Sequence, residues 1–152
     1  MVLLENKIYI HEIPTVRVLH EIHLSAPNSL GIMDLSSNTD RPLLVHPISD
    51  TSGIVEVFDT LKMETKCKIL CHESAVACLA LNETGNLLAT ASEKGTIIRI
   101  FSTSKGTRLF EFRRGILRNA TIHSMVFSPG SNFLAISSDT ETIHIFKLQP
   151  PE

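Results

Sequence analysis

Tryptophan is absent from this 152-residue chain, tyrosine occurs only once, at Tyr9, and there are three cysteines. The seven phenylalanines fall at core-like strand positions, so few flat rings remain as stacking platforms for bases, which argues against nucleic-acid binding. No apolar run approaches the roughly eighteen residues a membrane-spanning helix needs. Met1-Val2-Leu3-Leu4-Glu5 also lacks a basic region followed by a long apolar one. The expectation is a cytoplasmic chain with no transmembrane segment. Helical periodicity is lacking as well. So are a Gly-x-Ser-x-Gly elbow, a phosphate loop, a zinc motif and an acid/base pair placed by a turn. These absences point away from an enzyme and from any cofactor or metal.

The cysteines fit that reading. An extended stretch over 66–71 would hold Cys67 and Cys71 roughly 13 Å apart, too far for a disulfide or a shared metal. Cys67, Cys71 and Cys78 are therefore read as small core hydrophobes, and His72 beside Cys71 as part of the same core.

What is present is apolar material in a regular arrangement. The chain is 43% hydrophobic and 20% charged, as expected for one globular unit with a core. Short alternating segments recur: Ile8-Tyr9-Ile10, Ile54-Val55-Glu56-Val57-Phe58, Ile97-Ile98-Arg99-Ile100-Phe101 and Ile143-His144-Ile145-Phe146. Their ends, Ile10, Phe58, Phe101 and Phe146, are 48, 43 and 45 residues apart, close to the WD40 period. Further strands are expected at 31–35, 42–46 and 66–71, at 75–81, 86–91 and 108–112, and at 122–127 and 132–137. Turn-rich stretches such as Asn82-Glu83-Thr84-Gly85-Asn86 and Ser128-Pro129-Gly130-Ser131-Asn132 separate them.

The fold class that follows is an all-β, WD40-like β-propeller, and a partial one. Residues 1–24 read as the last two strands of a blade, 29–72 and 74–114 as complete blades, and 115–149 as the first three strands of another. Propellers close with four to eight blades, so the expectation is a fragment, a truncated reading frame or a short isoform of a larger ring. Its end strands would present unpaired edges.

Charge is unevenly spread. The formal net charge is −2, yet residues 93–118 hold seven basic side chains (Lys94, Arg99, Lys105, Arg108, Arg113, Arg114, Arg118) against two acidic ones, Glu93 and Glu111. That local balance of +5 on an otherwise acidic chain predicts an anion-binding face. Within it, Phe112-Arg113-Arg114-Gly115 closes an alternating strand, so Arg113 and Arg114 must aim to opposite faces, each with a planar fork of donors suited to phosphate. Gly115 would let a ligand approach the backbone. At the repeated position two before the segment end stand Ile8, Glu56, Arg99 and His144; only the last two can donate to phosphate, and their strands flank the one bearing the arginine pair. Thr90, Ser92, Thr96, Ser138 and Thr142 add neutral donors. His46 and His123 have no such setting.

Glu111-Phe112-Arg113-Arg114-Gly115, followed by Ser138-Asp139-Thr140-Glu141-Thr142-Ile143-His144-Ile145-Phe146-Lys147-Leu148, resembles the PROPPIN family of phosphoinositide-binding propellers, the WIPI proteins of animals. The similarity extends from Ile8 to Leu148, and the F-R-R-G form is closer to the autophagy branch. The resemblance implies recognition of phosphatidylinositol 3-phosphate and phosphatidylinositol 3,5-bisphosphate on membranes, at two places on the propeller rim. The first would use Thr90, Ser92, Thr96, Arg99 and Arg113, and the second Arg114, Gly115, Ser138, Thr142 and His144. It further implies autophagy effector proteins as partners and recruitment from the cytoplasm to autophagosome-precursor and endosomal membranes. The family's membrane-inserting loop would follow the third strand of the last blade, where this chain ends at Pro150-Pro151-Glu152. A WD-repeat interaction scaffold without lipid binding is the alternative.

Overall fold

The computed structural model describes residues 1–115 and 118–149. They form four antiparallel meanders in chain order. The first sheet joins β1 (Val2–Leu4), β2 (Lys7–His11) and β3 (Val18–His23). The second contains β4 (Asp34–Leu35), β5 (Leu43–Pro47), β6 (Ile54–Asp59) and β7 (Glu64–Leu70). In the third lie β8 (Val76–Leu81), β9 (Leu87–Ser92), β10 (Ile97–Ser102) and β11 (Arg108–Arg113). The fourth has β12 (Ile122–Phe127), β13 (Phe133–Ser138) and β14 (Ile143–Lys147). No helix among the described residues is long and apolar enough to cross a membrane.

Two details depart from the sequence expectation. The first sheet has three strands where two were expected, because Val2–Leu4 turns at Glu5-Asn6 and pairs with β2. The segment expected at 31–35 forms only two residues of strand, paired to Val45 and Leu44. Residues 150–152, where the chain was expected to stop short of a membrane loop, lie outside the described residues.

The second and third sheets are buried most deeply along their inner strands, because neighbours cover both of their faces. All five residues of β5 are buried, as are the last five of β9. The outer strands β7 and β11 are mostly exposed, since one side meets solvent. Three apolar layers hold the stack together. Ile8 and Ile10 meet Leu44 and Phe58 between the first two sheets. Val45, Val55, Val57, Ile69 and Cys71 meet Leu79, Leu88 and Phe101 between the next two. Ala89, Ala91, Ile98 and Ile100 meet Ile122, Met125, Leu134 and Ile136 between the last two. The small side chains of Ala80, Ala89 and Ala91 let the last pair approach closely.

The sequence repeat has a backbone counterpart. Between the last two strands of each of the first three sheets the register shifts at Ile10/His11, Val57/Phe58 and Ile100/Phe101, which corrects the repeat by one residue: His11, not Ile10, stands where Phe58 and Phe101 do, and Tyr9, not Ile8, is the counterpart of Glu56 and Arg99. Such bulges sharpen the twist that lets successive sheets fan apart. Thr60 and Thr103, two residues past the phenylalanines, each donate a hydroxyl proton to a backbone carbonyl of the inner turn, Pro42 and Gly85, at 2.7 Å.

Candidate functional site

Site geometry follows from the pairing register. Across the third sheet Leu79, Thr90, Arg99 and Glu111 lie in one row, and Arg113 pairs Ile97 one step along the same face. That face covers the second sheet. Phe110 and Phe112 point the other way, into the layer shared with the fourth sheet, where Phe112 stacks on Phe146 at 4.7 Å. Arg113 and Arg114 are thus split by strand alternation: one stands over the junction of sheets two and three, its neighbour over the junction of sheets three and four.

At the first junction Arg99 is already bound within the protein. Its Nε donates to Glu111 Oε2 at 2.9 Å and its Nη1 to the Cys71 carbonyl at 2.7 Å. Arg108 reaches the same Glu111 oxygen at 2.7 Å. The hydrogen bond from Arg99, with the charge of both arginines, pulls the Glu111 carboxyl below its ordinary range. Thr90 is fully buried; its hydroxyl lies 3.0 Å from His72 Nε2 and donates to the Arg99 carbonyl at 3.4 Å. Burial, and then the charge of Arg99, push the His72 pKa down to about 4, so the ring is neutral at physiological pH. Ser92 is buried on the same face and Thr96 half-buried. Arg113 is exposed, and among the described residues its guanidinium makes no hydrogen bond or ion pair. It is the free cation of this junction, with Arg99 set behind it.

The second junction is laid out differently. Arg114 donates from Nε to the Gly95 carbonyl and from Nη2 to the Arg118 carbonyl, both at 2.9 Å, and from Nη1 to Thr140 Oγ1 at 3.4 Å. Thr140 joins a row of hydroxyls: Ser138 Oγ is 2.8 Å from it and Thr142 Oγ1 is 3.0 Å away. His144 stacks at 6.2 Å on Phe146, the ring packed against Phe112, and its buried Nδ1 has no hydrogen-bond partner. A Cβ on Gly115 would meet nothing within 4 Å, and its φ lies outside the left-handed region, so the fold itself does not demand glycine there.

Two residues escaped the sequence reading. His72 carries Thr90, yet its only sequence signal is its place at the end of a predicted strand beside a buried cysteine. Thr140 connects Arg114 to Ser138 and Thr142, and the alternation Ser138-x-Thr140-x-Thr142 could have marked it. Two grooves, of about 490 and 680 Å³, open at the other ends of the strands, beside Arg41 and Lys66 and beside Leu87 and Phe110. Neither is lined by a predicted site residue.

The family model described as PROPPIN matches residues 1–151. The chain belongs to the PROPPIN family. Among curated relatives of this PROPPIN chain, WD repeat domain phosphoinositide-interacting protein 2 of Gallus gallus is 49% identical over 98% of the chain and 34% of the relative. Autophagy-related protein 18 of Caenorhabditis elegans is 43% identical over the whole chain and 37% of the relative. The chain therefore spans about a third of the length of these relatives. Among solved structures, a complex of KlAtg21 with the coiled coil of AgAtg16 superposes with a TM-score of 0.82, at 31% identity, over 97% of this chain and 48% of that one. The four stacked sheets are thus part of a PROPPIN β-propeller, as the repeat spacing predicted.

Proposed function

We propose that this chain supplies the lipid-recognising part of a non-catalytic, phosphoinositide-binding propeller. It would bind phosphatidylinositol 3-phosphate and phosphatidylinositol 3,5-bisphosphate on membranes during autophagosome formation. The observation that carries this reading is the splitting of Arg113 and Arg114 onto two sheet junctions, each with hydroxyls alongside. Site one comprises Arg113 and Thr96 at the surface, with Arg99, Ser92 and Thr90 as the layer that holds them. Site two comprises Arg114, Gly115, Ser138, Thr142 and His144. A phosphate oxygen is an acceptor only, and both clefts offer donors with a net positive charge. The names of relatives as phosphoinositide-interacting and autophagy-related support the same reading. On it the protein is cytoplasmic and is recruited to autophagosome-precursor and endosomal membranes.

Protein partners belong to the proposal as well. The KlAtg21 structure holds a coiled coil of AgAtg16, which supports an autophagy effector as a partner here. The test of the lipid reading is vesicle flotation. The chain is expected to rise with phosphatidylcholine vesicles that carry phosphatidylinositol 3-phosphate and to stay behind with those that carry unphosphorylated phosphatidylinositol. Equal recovery from both would favour a scaffold without lipid recognition.

A further inference from the structure

Thr140 belongs to neither set of phosphate-binding residues, yet it lies at the centre of the second cleft. Its hydroxyl touches Arg114 Nη1, Ser138 Oγ and Thr142 Oγ1 at once. A hydroxyl has one proton and two lone pairs. One lone pair of Thr140 takes the Arg114 proton, so towards its two hydroxyl neighbours it gives a proton to one and accepts from the other. The neighbour that receives the proton keeps its own free to point outward. Arg114 thereby makes the row run one way through Thr140, and the hydroxyl at one end of it presents its proton to a ligand that can only accept.

The turn that carries Thr140 is held rigidly. Asp139 N donates to the Thr121 carbonyl at 3.1 Å, and Thr121 N donates back to Asp139 Oδ1 at the same distance. Glu141 closes the turn at φ 60°, an unusual conformation for a residue with a Cβ. Thr140 itself is exposed, whereas Ser138 is buried, with 9% of its surface accessible. Its hydroxyl is thus fixed by the backbone without being needed to fill the core.

We infer that Thr140 is a positioning residue of the second site: its hydroxyl couples Arg114 to Ser138 and Thr142 and leaves the one that receives its proton aligned as a donor to a phosphorylated inositol headgroup. This rests on the two-site reading above. Removing the hydroxyl leaves Arg114 its two carbonyl anchors but releases Ser138 and Thr142 to rotate, so the cation stays and the aligned neutral donor is lost.

The experiment uses the full 152-residue chain carrying Arg113→Ala, which silences the first cleft. The probe is phosphatidylcholine vesicles with phosphatidylinositol 3-phosphate, compared with phosphatidylcholine alone. Thr140→Val, which keeps the shape, is expected to weaken binding about tenfold, the scale of one hydrogen bond in a charged site. Thr140→Ser is expected to restore it, with thermal melting unchanged in both. Should Thr140→Val lower the melting temperature, Thr140→Ala supplies a second hydroxyl deletion without the branched side chain. Binding by Thr140→Val equal to that of its parent, or binding by Thr140→Ser as weak as by Thr140→Val, would overturn the inference. Arg114→Ala on the same background separates the two claims. If it keeps full binding, the two-site reading falls and the role of Thr140 with it. If it loses binding while Thr140→Val does not, only the role of Thr140 falls.

Discussion

The Arg113→Ala, Arg114→Ala double variant is expected to lose nearly all binding to vesicles carrying phosphatidylinositol 3-phosphate, while each single change leaves a weakened residue of it. The guanidinium groups serve separate junctions, so one change empties one cleft and leaves the other intact. A charge-assisted hydrogen bond contributes roughly 1.5–3 kcal/mol, or about ten- to a hundredfold in the affinity of its own cleft. On a membrane two weak sites reinforce each other through effective concentration, so losing both removes far more than either loss alone suggests. The fold should tolerate the double change. Arg113 makes no internal hydrogen bond or ion pair among the described residues, and Arg114 anchors one exposed loop carbonyl, of Arg118, and one partly buried turn carbonyl, of Gly95, in a turn that backbone hydrogen bonds also hold. Arg→Lys at either position keeps the charge but not the planar fork, and an intermediate loss is expected. Unchanged flotation of the double variant would leave the scaffold reading as the better one.

Gly95→Ala is expected to destabilise the protein by about 3 kcal/mol or more, in sharp contrast to Gly115→Ala, which should fall within about 0.5 kcal/mol of wild type. Gly95 sits at φ +61°, and a Cβ there would lie 1.8 Å from the Ala120 carbonyl oxygen, an overlap with backbone that no rotamer change relieves. The left-handed conformation adds about 1–2 kcal/mol for any residue with a side chain. This turn also receives the Lys94–Ala120 backbone hydrogen bond, and the Gly95 carbonyl anchors Arg114 Nε. Gly95→Ala should therefore damage stability and second-site binding together. Gly115→Ala should spare stability and affect binding only where a ligand approaches the backbone. Urea unfolding of the two variants, read against vesicle flotation, checks both. A Gly95→Ala protein as stable as wild type would show that the 93–96 turn moves freely against the 118–121 connection.

Sequence patterns reported the fold wherever one local rule decided the outcome. The I-x-I-F segments became the third strands because their alternate residues fill the layers between sheets, and the phenylalanines mark the repeated register shifts at Phe58 and Phe101. The divergence of Arg113 and Arg114 was legible for the same reason, since alternation needs no knowledge of a partner strand. What depended on register stayed hidden. That Arg99 would be held by Glu111 and the Cys71 carbonyl follows from which strand lies opposite and which sheet lies beneath. Both partners of Arg99 come from other strands, which the sequence of its own strand does not disclose. The same holds for Thr90, whose hydroxyl meets the Arg99 carbonyl of the neighbouring strand and His72, which follows the last strand of the second sheet. β1 was missed because three apolar residues are too short to show a period.

The central claim is that Arg113, which ends β11, and Arg114, which follows it, serve one headgroup site each, on opposite sides of the third sheet. Titration calorimetry with soluble inositol 1,3-bisphosphate, the headgroup of phosphatidylinositol 3-phosphate, tests it most directly by counting sites. Two equivalents per chain are expected for wild type, one for Arg113→Ala and one for Arg114→Ala. A single equivalent in wild type that disappears with either arginine would mean that both reach one shared pocket, and the two-cleft account would be wrong.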